Sequence, residues 1–359
     1  MTFLQAILPF FAILILLIVV HELGHYITAK LTGVKVLEAG LGYPPRIWGF
    51  TWRGTIYSLN LLPLGGFVRL LGEEDPSDPQ SLAAKPRWIR LLVLASGSGM
   101  NFLLPIFLFA LAFMIPRQVA VGPVAINEVA AGSPAAQAGL QPGDTILDLN
   151  GEHVKNVQEA GRLIRLNLGE SITFTVKRQV FGGGSQVLTL PVQARWAPPS
   201  GQGPTGIRIG NLYPFTESES FPPWEAIPKG WTSTLDSLIL ARNQIISMFK
   251  GGSGPDVAGP VGIAQATGEV VDEGGWQTLL DFAAILSINL AIINILPLPM
   301  LDGGRIAFVL LEIARRGKRI APEKEALVHF VGLALIITLA VVITYFDVVR
   351  LLRGDSLFR

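Results

Sequence analysis

The sequence predicts an α-helical multi-pass membrane protein of about four spans, carrying a small membrane-associated β-hairpin region and one inserted α+β module. Three observations carry that reading. Half of the 359 residues are hydrophobic, only 15% are charged and the mean hydropathy is +0.48, a membrane composition diluted by a water-soluble part. Four apolar runs can cross a bilayer: Phe3 to Val20, Ile89 to Ile115, Leu279 to Leu296 and Leu327 to Leu352. Between the second and third, from about Val119 to Ala197, the apolar run lapses into alternating strands and turns. A net charge of +1 argues against a nucleic-acid partner, and the absence of cysteine excludes disulfides and thiolate metal ligands.

The first run continues through Tyr26 to Lys30, a span of about 27 residues. It reads as a span rather than a cleaved leader, because no basic segment and no small-residue cleavage site precede its polar end. That end is His21-Glu22-Leu23-Gly24-His25, about 27 Å along the helix from Phe3. At about 100° per residue the two imidazoles share one face, with Glu22 in the same half-circle. Neutral histidine nitrogens suit zinc, and a carboxylate beside them can take a proton from a metal-activated water. With 4 His and 16 Glu in the chain, random placement yields about 0.002 such matches.

Residues 31–88 turn rich in Gly, Pro and aromatics, with β-prone pieces at 34–37, 47–52, 55–61 and 67–71. They predict hairpins lying against the histidine pair, with a sheet edge able to take an extended segment by strand addition; sequence alone equally allows a purely structural hairpin that packs the helices. The second span, 89–116, opens on Ser96-Gly97-Ser98-Gly99-Met100-Asn101, small residues that let a neighbouring helix approach closely.

The module at 117–200 reads as strands at 123–129, 145–149, 172–178 and 187–192, a short helix at 135–139 and an amphipathic helix at 156–168. A turn is expected at Gly182-Gly183-Gly184, and His153 reads as a solvated residue far from any acid. The linker 201–276 holds an amphipathic helix from Trp224 to Lys250 and a Gly/Pro-rich stretch at 251–262. The third segment, 277–326, carries Asn289 and Asn294 just before Pro297-Leu298-Pro299-Met300-Leu301-Asp302-Gly303-Gly304, and a cytoplasmic helix follows. Two prolines break the helix where freed backbone is tolerated only inside protein or beside water. A catalytic zinc needs a third ligand, and Asp302 is the leading carboxylate; spacing equally allows it to cap a helix starting near Arg305. Asp281 and Asp347 read as interfacial. The fourth span is 327–352. Basic residues crowd the loops between spans one and two and between three and four, placing those loops in the cytoplasm and the module outside.

The His-Glu-Leu-Gly-His element on span one, Asn289…Asn294…Pro-Leu-Pro-Met-Leu-Asp-Gly on the third segment and the insert between spans two and three resemble the site-2 protease family. The likeness is closest to bacterial RseP-type intramembrane zinc metalloproteases. Gly132-Ser-Pro-Ala-Ala-Gln-Ala-Gly-Leu-Gln-Pro-Gly-Asp144 makes the insert similar to a single PDZ domain, whose groove is expected between the strand near 121–126 and the helix 156–168. The resemblance implies a multi-pass enzyme of the bacterial inner membrane with its active site towards the cytoplasm. It implies one Zn2+ held by His21, His25 and Asp302, Glu22 as general base, and Asn289, Asn294, Pro297 and Pro299 at the substrate. It further implies regulated intramembrane proteolysis of single-span membrane proteins, such as anti-sigma factors, after a first cut outside. Peptide carboxyl termini are the implied ligands of the PDZ-like domain. A non-catalytic PDZ-bearing scaffold is the competing reading, and it has no use for Glu22 or Asp302.

Overall fold

The computed structural model describes residues 3–73, 75–180, 183–252 and 258–354, leaving aside the side chains of 3–6, 63, 64 and 273. In chain order the elements begin with α1 (Phe3–Leu31), β1 (Val36–Trp52), β2 (Thr55–Leu70) and α2 (Arg87–Met114). Then come β3 (Arg117–Val121), β4 (Val124–Val129), α3 (Pro134–Gln137), β5 (Thr145–Leu149), β6 (Glu152–His153), α4 (Val157–Leu166), β7 (Ser171–Val180), β8 (Gly184–Gln193), β9 (Ile207–Asn211) and β10 (Phe215–Glu219). The chain ends with α5 (Pro223–Phe249), α6 (Pro260–Ile295), α7 (Asp302–Ala314) and α8 (Pro322–Arg353). Parts of the expected turn at 182–184 and of the Gly/Pro-rich stretch at 251–262 lie outside the described residues.

Two compact units result. One takes in α1, β1, β2, α2, the 227–234 stretch of α5, and α6 to α8. Among the described residues, four helices are long and apolar enough to cross a membrane: Ile7–Leu31, Arg87–Met114, Gly274–Ile295 and Pro322–Arg353. The β-prone pieces of the 31–88 stretch merge into two long antiparallel strands that fold back on each other. Residues 38–41 of β1 pair both with 56–59 and with 66–69 of β2, while 46–52 pair with 55–60. The run 66–70 therefore forms one edge of the sheet, and Val36, Val68 and Leu70 pack with Ala29, Val93 and Val309 into the core of this unit.

The helix that carries the third span begins ahead of the span itself. Pro260 at the first position starts α6, and Gly275 (φ 66°) interrupts it, so residues 260–273, assigned to a linker by sequence, are helical. Asp347 is a second correction, because it is buried rather than interfacial. Its carboxylate accepts the Gly262 N–H at 2.8 Å and the Arg350 guanidinium at 2.8 Å, so α8 satisfies one of the open amides at the start of α6.

The other unit is an α+β module built on a six-stranded sheet of order β8-β7-β5-β4-β9, with β6 pairing β5. Val124, Ile126, Ile146, Leu149, Ile172, Phe174 and Val176 of the sheet close on Ala160, Leu163 and Ile164 of α4. The strand near 121–126 does not offer a free edge. β4 lies between β5 and β9, and it is β9, beyond residue 200, that ends the sheet beside α4, where the Asn211 side chain accepts the Val157 N–H at 3.0 Å. His153 is exposed as expected, yet its Nδ1 lies 3.3 Å from Asp148 on the paired strand.

Candidate metal centre and catalytic site

One turn of α1 sets His21 above His25, and their Nε2 atoms lie 3.3 Å apart. Asp302 arrives from 277 residues away. Pro297 and Pro299 interrupt the chain after α6, and α7 starts at Asp302 itself with Leu301 as its cap. Asp302 is therefore not capping a helix that begins near Arg305; its Oδ2 faces His25 Nε2 at 3.1 Å and His21 Nε2 at 3.2 Å. Gly303 makes this return possible, since a β-carbon there would stand 2.0 Å from the Leu296 carbonyl oxygen. The loop is also held from α8, where His329 Nδ1 accepts the Met300 N–H at 2.9 Å.

The donor set fits a metal ion. His25 Nδ1 donates to the Val93 carbonyl at 2.8 Å, which leaves the Nε2 of the neutral ring with a lone pair. A lone pair and a carboxylate oxygen at 3.1 Å repel unless a cation lies between them. A tetrahedral zinc with bonds of about 2.0–2.1 Å needs ligand atoms about 3.3 Å apart, and the three observed separations are 3.1, 3.2 and 3.3 Å. Among the described residues this is the group of three His, Cys or acidic side chains with metal-holding geometry.

Glu22 sits beside this triangle, where Gly66 of β2 lies against its side chain. The sheet edge 66–70 thus runs past the carboxylate. Asn289 is exposed and Asn294 part-buried on α6, with Pro297 exposed and Pro299 part-buried after it; among the described residues, the hydrogen bonds and ion pairs of the triangle do not include them. On the opposite side α2 backs the histidines.

A family model for peptidase family M50 matches residues 9–339. The chain belongs to peptidase family M50. It is 34% identical to a Clostridium perfringens protein named as a zinc metalloprotease, over 93% of this chain and 95% of that one. The zinc metalloprotease RasP of Geobacillus kaustophilus is 29% identical, over 96% of this chain and 98% of its own. The regulator of sigma-W protease RasP of Bacillus subtilis is 28% identical, over 97% and 99%. This M50 peptidase is a zinc-dependent metalloendopeptidase of a multi-pass membrane type, which sets aside the non-catalytic scaffold.

Two contributors to this site escaped the sequence reading: the Val93 carbonyl and His329. The first is a backbone group, which no side-chain motif reports. Gly97 belongs to the small-residue stretch expected to pack against the first helix near the metal, and its part in that packing is seen only here.

Proposed function

We propose that the enzyme hydrolyses a peptide bond within or beside the spanning helix of a single-span membrane protein, with His21, His25 and Asp302 holding the zinc and Glu22 acting as the base. The observation that carries this is the triangle of mutually facing acceptors with a carboxylate next to it, at the end of an apolar span. Zinc held there supplies Lewis-acid polarisation of the scissile carbonyl and lowers the pKa of an attacking water to about 7. Glu22 accepts the water's proton and returns it to the leaving amine. A spanning helix hides its peptide bonds, so it must unwind first; the edge 66–70 offers backbone groups for an extended segment, and Asn289 and Asn294 offer amides to its main chain. Pro297 and Pro299 keep the backbone beside them open.

The positive loops support a cytoplasmic site with the α+β module outside. The module is PDZ-like, with its peptide edge at β9 beside α4, and it admits substrates already trimmed outside. A relative named for regulating sigma-W supports an anti-sigma factor as one such substrate.

Cleavage of a tagged single-span substrate by the purified protein in detergent tests the reading, wild type beside Glu22→Gln with zinc measured in both. Loss of cutting with zinc retained is expected. Equal cutting by both would remove Glu22 from the chemistry, and full zinc retention in His25→Ala would remove the proposed ligand set.

A further inference from the structure

We propose that Asn101 is the positioning residue for His21, its side-chain carbonyl oxygen accepting the His21 Nδ1–H and so turning the Nε2 lone pair onto the metal. This rests on the ligand reading above. The starting observation is an inconsistency. Asn101 is fully buried, its Nδ2 lies 3.5 Å from His21 Nδ1, and its Oδ1 is buried without a hydrogen-bond partner among the described residues. An amide N–H donating to Nδ1 would leave the single proton of neutral His21 on Nε2. That proton would then point at Asp302 Oδ2, 3.2 Å away, in the place where a metal ligand needs a lone pair.

Rotating the amide by half a turn exchanges two groups of the same shape and removes the conflict at His21, while the amide NH2 takes the buried position that Oδ1 had. Oδ1 gains a partner, the ring proton moves to Nδ1, and Nε2 faces Asp302 and His25 as an acceptor. Metal-bound histidines ordinarily donate their other ring N–H to an oxygen, and here the oxygen would come from an amide.

The register of α1 against α2 supports the assignment independently. His25 Nδ1 already donates to the carbonyl of Val93. Gly97 lies one turn on, where a β-carbon would stand 2.3 Å from His25 Nε2 and 2.8 Å from His21 Nε2. One further turn reaches Asn101, opposite His21. Positions 93, 97 and 101 form a single ridge of an antiparallel helix, in which the first orients one imidazole, the second makes room for both and the third orients the other. The ridge is pinned from α6, where Ser287 Oγ donates to the Asn101 backbone carbonyl at 2.9 Å and so fixes the backbone from which the side chain projects.

The test measures zinc affinity by chelator competition on full-length protein in detergent, alongside the melting temperature of the zinc-free form. Asn101→Ala should weaken zinc binding about 10–100-fold with the zinc-free melting temperature unchanged. Asn101→Asp, which keeps an acceptor oxygen, should return affinity to within a few-fold of wild type. Wild-type affinity in Asn101→Ala would overturn the inference, and so would equal weakening in both variants, which would mark a packing effect. His21→Ala separates the two levels. If it loses zinc while Asn101→Ala does not, the ligand reading stands and the positioning role falls; if His21→Ala keeps wild-type affinity, the ligand reading itself falls and takes the inference with it.

Discussion

At the residue scale, the site depends on what α2 leaves out as much as on what α1 supplies. Gly97 and Gly99 occur in the same small-residue stretch, but only the first touches the imidazoles. A methyl at Gly97 would overlap His25 Nε2 at 2.3 Å, whereas a methyl at Gly99 meets nothing within 4 Å. Gly97→Ala is therefore expected to lower bound zinc and to cut proteolysis by about 100-fold or more, because either ring must turn away from the place it holds beside Asp302, where the proposed zinc would sit. Gly99→Ala should behave as wild type in both measurements. The motif His-Glu-Leu-Gly-His was legible because a two-histidine clamp needs only one helical turn. The difference between Gly97 and Gly99 was not, because it depends on how α2 is rotated against α1.

At the element scale, Glu312 ties the start of α2 to α7, the helix that delivers Asp302. Its buried carboxylate accepts from Arg90 at 2.6 Å and from Arg87 at 3.2 Å, with Arg319 3.5 Å away. Burial alone would raise the Glu312 pKa, but the hydrogen bonds from Arg90 and Arg87 outweigh it and hold the carboxyl below its ordinary value of 4.5. A carboxyl lowered by folding contributes stability that is complete above the unfolded value and lost as pH falls through the folded one. Glu312→Gln should thus destabilise the protein by about 2–3 kcal/mol at neutral pH. The gap in melting temperature between wild type and variant should close as the pH is taken below 4.5. A gap independent of pH would show that the carboxylate charge does not stabilise this junction.

At the scale of the whole molecule, the chain enters and leaves the module's sheet at one place, while Leu235–Asp256 of the same unit packs on it from the following helix. β3 and β10 pair from Arg117↔Glu219 to Val121↔Phe215, so the strands that enter and leave it run as one antiparallel ribbon. Residues 122–214 can therefore be excised and the ribbon joined by a short turn. If the module restricts access, the shortened enzyme should cut an untrimmed single-span substrate that the full chain leaves intact, while both cut the trimmed form equally on a gel assay. Unchanged rejection of the untrimmed substrate would mean that the filter lies elsewhere.

The amino-acid sequence by itself determined four helices long and apolar enough to cross a membrane, most strands of the module and the placing of His21, Glu22 and His25 together on one helix. Each is a short-range property: an apolar run of bilayer length, a two-residue alternation, or a spacing of four on one helix. Only the tertiary structure decided whether Asp302 caps its own helix or faces the histidines, because that contact closes a gap of 277 residues through a turn between two helices. The same holds for Asp347, which looked interfacial until α8 brought it to the Gly262 amide of α6, and for β9, which took the edge beside α4 that sequence assigned to residues near 121–126. A lone carboxylate or a five-residue strand has no partner within its own neighbourhood of the chain, so its role is set by whichever distant element folding places beside it.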